Sequence, residues 1–447
     1  MPSDRSRLSD RPRRLYSGIV AQQGRVLLDR DVNDLQDIVL SRLATDVRDI
    51  VGPSGTPDDG FRISPPNATP SPGFWSPPEP AISSPPEDLG GGDDFLIGAG
   101  SMYLGGHRVE FPSRQHGQAV NYSYLDQPDW PQPVPIAGDL AHELVYLDAV
   151  LQEVSAVEDP DLLEVALGGP DTSQRLRFIP RVKRETVDAS DCATAWEQAI
   201  SKWTAEGLTF DPATMRLSPT AKLQVTFTED ASTGDPCDPT ATGGYLGADN
   251  QLIRAQVSAP AGAAPTLVWG YDNASFMYRI TSVSPDGMTL TLASDPPDAI
   301  HTPQAGQIVE ILTTGSMIAA EPDETDPTGV KRILRVAAEA IGEFHELAQP
   351  YGPISQGDPT SYIVLSEPVG AAIAASALPL FLRVWQAQLP LTIDAALTLF
   401  DPNTQISTGL EVTLSGAKAL ADGAYWQIAA RPSTPQAVYP EDLLTAP

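Results

Sequence analysis

The side chains best equipped for chemistry in this sequence are its carboxylates. Glu158, Asp159, Asp161, Glu164 and Asp171 gather around one loop. A pair held about 5 to 9 Å apart could serve as acid and base, or acid and nucleophile, on a glycosidic bond. The same oxygens could instead hold a structural calcium ion. With 58 acidic residues in the chain, crowding of this kind also arises by chance. A second acidic run, Asp29, Asp31 and Asp34, opens like a calcium loop but lacks the glycine at its sixth position and the closing glutamate. Those acids are expected to cap a helix and complement its dipole.

The remaining reactive residues form no constellation. The five histidines, His107, His116, His142, His301 and His345, are scattered, with no paired helical zinc pattern. There is no Gly-x-Ser-x-Gly elbow and no lysine-ended phosphate loop, and Gly98-x-Gly100 precedes a turn between strands rather than a helix. Cys192 and Cys237 are too few for a disulfide scaffold or a four-thiolate zinc site. They are expected as two buried free thiols, with pairing as the alternative. No catalytic, cofactor-binding or metal-binding residue is assigned, and no enzymatic activity is expected.

Composition narrows the classes further. A chain of 447 residues is too long for one core and predicts two to four domains. Its 44 prolines and 35 glycines call for many turns rather than helical bundles. A net charge of −30 repels phosphate backbones, so no nucleic-acid partner is expected. No window reaches the roughly 18–20 apolar residues of a membrane span. Met1 to Arg14 is charged and lacks the apolar core of a secretion signal. The expected history is synthesis in the cytoplasm and, if the chain is exported, departure as part of something larger.

The elements that must position these residues read as a mainly β (α+β) fold, with β-sandwich or barrel-like domains preceded by an extended arm and a helix. Residues 1–14 form a basic arm on an acidic protein, suited to ordering against an acidic neighbour. From Asp31, Val32, Leu35, Val39, Leu43, Val47 and Ile50 recur at three and four residues, one stripe of a five-turn helix that Gly52-Pro53 ends. Arm and helix are read as one unit, 1–52. A Pro/Gly-rich linker or covering segment follows (53–94), with Phe74 and Trp75 as anchors. A first β-rich domain (95–190) contains strands on either side of Gly105-Gly106, a hairpin signal, and strands at Leu144–Val154 and Arg175–Val182. Between the last two, a helical turn over Leu162–Leu167 should stop at Gly168-Gly169. A second (191–330) opens on a helix over Trp196–Leu208 and continues with strands at 222–227, 251–257, 266–269, 276–283 and 288–292. In the C-terminal region (331–447) the spacing of Ile333, Leu334, Ala337, Ile341 and Phe344 predicts a helix over Val330–Leu347, the alternative being a strand at Arg332–Val336 followed by a loop. Asn250 and Asn273 suit turns. Trp269 and Trp426 are expected in core packing rather than ligand stacking.

Five stretches carry a resemblance. They are Tyr16-Ser-Gly-Ile-Val-Ala-Gln-Gln-Gly-Arg-Val-Leu-Leu-Asp-Arg-Asp-Val-Asn-Asp34; Val145-Tyr-Leu-Asp148; Glu158 to Thr172; Gly243 to Arg254 with Trp269-Gly-Tyr-Asp-Asn273; and Gly423 to Arg431. Together they resemble a bacterial domain-of-unknown-function family that accompanies phage-tail-like baseplate and contractile-injection genes. The family pattern Trp-Ser-Arg-Asp-Asn is replaced here by Trp269-Gly-Tyr-Asp-Asn273, which removes its arginine. The pattern also runs on past Pro447, so an abbreviated or partner-completed C-terminal region is expected.

The resemblance implies a structural baseplate, fibre or collar component of a phage-like or extracellular injection particle, without enzymatic chemistry. Its implied partners are other tail proteins and further copies of itself within a symmetric particle. The assembly interface is assigned to Arg14, Tyr16, Arg25, Asp29, Asp31, Asn33 and Leu35, with Arg25 and Asp29 forming a bidentate pair at the arm-helix junction. The competing expectation is a secreted glycan-binding or glycan-cleaving β-rich protein.

Overall fold

Strand Gln251–Ser258 is the wall around which the molecule is built, because its side chains are buried on both faces. A computed structural model describes residues 3–6, 15–64, 94–111, 114–115, 118–119, 121–130, 142–228, 243–322, 332–354, 360–401 and 406–439. In a five-stranded antiparallel sheet this strand lies between Thr266–Gly270 and Tyr425–Ala430, with Ala387–Pro390 and Val438–Tyr439 at the edges. Ile253, Ala255 and Val257 alternate toward one face. There they meet Leu223 and Val225, Leu399, and Leu410, Val412 and Leu414 from a three-stranded sheet of Lys222–Phe227, Ile406–Ser415 and Leu397–Asp401. Alternation at period two on both sheets makes this a sandwich. Trp269 is fully buried in that core and Trp426 packs against it, so both serve packing, as expected.

The opposite face meets a second sheet of six strands, in the order Glu343–Glu346, Ile308–Leu312, Leu380–Trp385, Met277–Val283, Thr289–Leu292 and Ile363–Val364. Val268 and Ala274 pack there on Ile308 and Trp385. This sheet curls as a half-barrel until its edges touch. Ser366 N donates to Glu346 O at 2.9 Å, and Ala348 N donates to Val364 O at 2.9 Å. Closing the edges removes the unpaired backbone groups that an open sheet presents.

The N-terminal part packs Phe61, Ile97, Val109, Phe111 and Tyr124 onto Val182 and Phe178 of a long hairpin. That hairpin pairs Glu143–Val154 with Arg175–Thr186 in unbroken antiparallel register. Its far end is bound to strand Arg332–Ala338, where Gln152 Nε2 donates to Ala338 O at 2.8 Å. The double-glycine hairpin lies between Gly100–Leu104 and His107–Phe111, as the sequence indicates. Helix α2 runs over Cys192–Ala205, four residues earlier than expected, because Asp191 caps it through Thr194 N.

Four expectations fail. Residues 332–346 form two strands, Arg332–Ala338 and Glu343–Glu346, rather than a helix. Val336, Ala337 and Ala338 are all fully buried, so this strand reads as a continuous apolar run and mimics helical spacing. Cys192 is a free thiol but exposed, at the first turn of α2, while Cys237 lies outside the described residues. Arg25 has no ion pair among the described residues: it sits on an exposed stretch, and Asp29 binds elsewhere. Strand pairing also crosses the expected boundary at 330, since 277–283 and 308–312 share a sheet with 380–385.

Two polar groups should dominate stability. Glu310 and Arg383 lie opposite each other in register, both buried, at 3.2 Å; Glu310 also accepts from Trp385 Nε1 at 2.9 Å and Gly342 N at 2.8 Å. Glu310→Ala leaves a buried guanidinium without its anion and should lower unfolding free energy by about 3–5 kcal/mol, read by denaturant titration. Asp58 anchors the turn before residue 60. Burial pushes its carboxyl up, but hydrogen bonds from Ser101 N and Oγ and from Gly60 N outweigh this and hold its pKa below the usual value. A depressed carboxyl stabilises above its unfolded pKa of about 3.9 and loses that increment as pH falls through the folded value. Asp58→Asn should therefore lower the denaturation midpoint at pH 7 and flatten its fall in acid.

Candidate assembly interface

Helix α1 spans Asp29–Val51. Asp31 secures its start: Leu28 N donates to Asp31 Oδ2 at 3.1 Å, and acids in the first turn suit the positive end of the helix dipole. Asp29 takes a different partner, accepting from Ser6 N at 2.9 Å. Burial raises its carboxyl, but the Ser6 N–H and hydroxyl outweigh that and keep its pKa below the usual range. Gly52, at φ 96°, ends the helix by donating to Arg48 O.

α1 touches the body along a narrow line. Gly106 approaches the Ala44 carbonyl so closely that any Cβ there would collide with it, and Arg48 Nη1 donates to Gly105 O at 2.9 Å. Only Ile38 and Ala44 are buried along the helix. At about 100° per residue, Ala44 and Arg48 lie on the side opposite Val32, Leu35, Val39, Leu43 and Ile50. The apolar stripe therefore faces away from the protein's own core. Leu35 is 42% exposed, Leu43 55% and Ile50 84%.

The segment leading into the helix extends this surface. Residues 15–28 form an irregular stretch with a turn at Gln23-Gly24 and are largely exposed, with Tyr16, Val20, Val26, Leu27 and Leu28 all open to solvent. Of the residues assigned from sequence, Tyr16, Arg25 and Leu35 are exposed, Asp31 and Asn33 half-buried, and Asp29 is tied to Ser6. Arg14 lies outside the described residues. Sequence thus locates the segment and includes Leu35 of the stripe, but leaves open which way the rest of the stripe faces.

The beginning of the arm does something that sequence reasoning missed. Residues 3–6 settle on the protein's own body. Glu153, on the long hairpin, accepts from Ser3 N at 2.6 Å and Ser3 Oγ at 2.9 Å, and pairs with Arg5. Asn273 Nδ2 donates to Ser3 O at 2.8 Å, and Arg431 Nη2 donates to Ser6 O at 2.9 Å. The basic arm does order against an acid, but that acid belongs to the same chain. Asn273 and Arg431 fall within the family-like stretches; nothing in the sequence marks Glu153.

The acidic loop between the long strands is occupied structurally. Fully buried Glu158 accepts from Ser155 N and Oγ and, at 2.8 Å, from Ala338 N. Asp161 takes Arg335 in two hydrogen bonds of 2.6 and 2.9 Å, which lower its pKa. Glu164 accepts from Ala166 N, and left-handed Gly168 closes the short turn Val165–Leu167, as expected.

The contact at Gly106 sets how α1 stands. Gly106, at φ 87°, tolerates no side chain on steric or conformational grounds. Gly106→Ala should destabilise the protein by about 1–2 kcal/mol and should accelerate amide exchange selectively in residues 40–51, read by mass spectrometry.

No curated protein and no solved structure matches this chain. Residues 1–204, which hold the arm, α1, the long hairpin and nearly all of α2, match the model of a family of unknown function (DUF6519).

Proposed function

We propose that this chain is a non-enzymatic structural subunit of a phage-tail-like contractile injection particle, a baseplate, fibre or collar element that docks through residues 15–51. One observation carries the reading: an apolar stripe on α1, prolonged by the exposed segment before it, points away from the body that anchors the helix. Monomeric proteins seldom leave contiguous apolar surface of this extent uncovered. Taking such a side chain from full exposure out of water is worth about 1.5–3 kcal/mol, and these begin roughly half exposed, so several must act together. Copies repeated around a symmetric particle add such contacts by avidity. The resemblance of five stretches to injection-particle components supplies the identity of the particle. In this reading the chain is made in the cytoplasm and incorporated there, and its sheets are building material.

The stripe also describes its counterpart. Leu28, Val32, Leu35, Val39, Leu43 and Ile50 follow the helical repeat closely enough to run straight along α1 instead of winding around it. Asp31 and Asp49 flank it on one side, and Asp46 falls on its line between Leu43 and Ile50. A groove that accepts this helix is straight, apolar and rimmed by basic side chains.

Leu35→Glu with Leu43→Glu tests the reading. Both residues are surface positions on the side away from the core, so the folded body should change by no more than about 0.5 kcal/mol. Particles purified from producing cells should lack the variant subunit, seen by negative-stain imaging and by mass spectrometry of the particle. Normal incorporation of the doubly charged variant would refute the docking role. Hydrolysis of a polysaccharide by the isolated variant would favour the glycan-active alternative.

A further inference from the structure

The place where residues 3–6 rest has the construction of a peptide acceptor. Its centre is the turn Asp272-Asn273-Ala274, with φ of 50°, 57° and 48°. Three consecutive left-handed residues, none of them glycine, cost roughly 1–2 kcal/mol each, and strain of this kind persists at clamps that hold something. The surroundings enforce it. Gln251 Oε1 accepts from Asp272 N at 3.0 Å, and Gln427 Nε2 donates to Asn273 Oδ1 at 2.9 Å. The outcome is a fully buried Asn273 whose amide points at a main-chain carbonyl, that of Ser3.

The other contacts follow the same logic. Glu153 reads Ser3 N–H, the Ser3 hydroxyl and the Arg5 guanidinium, while Arg431 reads Ser6 O. Arg5 Nε also donates to Ser3 Oγ at 2.7 Å, which pre-orders the peptide. Main-chain groups at both ends and two side chains between them define a ligand of the form Ser-x-Arg-Ser. Its walls come from the hairpin, the 272–274 turn and the end of strand Tyr425–Ala430 with Arg431 just beyond it, and none of them comes from the arm.

The tether favours mobility of the ligand between copies. Ser6 N donates to Asp29 Oδ2, and the described residues 15–28 that precede Asp29 lie largely exposed. The whole stretch of chain from 7 to 28, if fully extended at about 3.3–3.6 Å per residue, would reach roughly 70–80 Å. Closing a loop of this length on the same chain holds only the advantage of local concentration, which an adjacent copy in an assembly matches. Burial raises the pKa of Asp4, and the Asp272 and Asp29 carboxylates raise it further against the opposing pull of His301.

We infer that this seat is an acceptor for the Ser3–Ser6 segment and that in the assembled state it takes that segment from a neighbouring copy of the chain. The inference rests on the reading that copies stand side by side. It uses residues separate from the α1 stripe, so the two can fail independently.

The test mixes two full-length proteins that differ only at this contact. One lacks residues 1–6 and presents an empty seat. The other carries Glu153→Arg and presents a free arm. Leu35→Glu and Leu43→Glu in both remove association through the stripe. Native mass spectrometry should show each alone as a monomer and the mixture as a 1:1 complex. The synthetic peptide Met-Pro-Ser-Asp-Arg-Ser should compete the complex apart, and Arg5→Glu on the donor should abolish it. The same peptide, fluorescein-labelled, should bind the arm-less protein and lose about tenfold in affinity with Asn273→Ala. If Glu153→Arg does not fold, Asn273→Ala combined with Arg431→Glu replaces it in the donor. Peptide binding with a mixture that stays monomeric would reduce the seat to an internal latch and overturn the exchange. Absence of peptide binding to a folded arm-less protein would overturn the acceptor itself.

Discussion

The geometry of the molecule's outer surface hangs on one turn with no side chains. Gly105 and Gly106, at φ 59° and 87°, are approached by the Thr214 carbonyl on one side and the Ala44 carbonyl on the other. Pro53 O accepts from Gly105 N at 2.8 Å and Arg48 donates to Gly105 O. Three segments distant in sequence meet on two residues because only glycine leaves room for their backbones. This pins α1 by its small and polar side, and the apolar side is turned outward as a consequence. A bulkier turn would release the helix, and the stripe could then collapse onto the nearest sheet.

A second constraint lies between the two large sheets. Arg254 is buried, stacked over the Tyr425 ring at 3.6 Å and hydrogen-bonded to Gln256 Oε1 at 3.0 and 2.8 Å. Burial, and then the neighbouring Arg383, pull its pKa down to about 10, while Glu310 and Glu153 act in the opposite direction. It remains a cation at neutral pH. Glu153 therefore has two duties, since it helps to neutralise a buried arginine and also receives Arg5. With the arm absent, Glu153 would still have a counter-charge in its neighbourhood.

Much of this architecture is legible in the sequence, and the illegible parts share a cause. The α1 boundaries, the double-glycine hairpin, the strands at 222–227 and 251–258 and the Gly168 stop all follow from local periodicity and turn chemistry. The strand at Arg332–Ala338 was obscured because its pairing with Thr314–Pro322 and its burial on both faces erase the alternation that marks a strand. The direction of the α1 stripe was illegible for another reason. Periodicity reports that a helix has an apolar side but not whether that side meets its own core or another molecule's. The arm's seat depends on contacts between residues 150 to 425 positions apart, such as Arg431 with Ser6, which no local pattern encodes.

Charge then restricts how such a chain can associate. Molecules carrying −30 repel one another, although at physiological salt the repulsion is screened beyond about 8–10 Å. Approach from a distance is unfavourable, and attraction has to come from contacts made at close range. The exposed stripe offers one kind, apolar and indifferent to salt. Arg5 on Glu153 offers the other, a cation delivered by the arm into a partly buried acid. Diffuse electrostatic adhesion would fail for this composition at every orientation. Contacts between fitted surfaces are what remain, and of the two only the Arg5–Glu153 pair is lost outright by a slide of one helical turn.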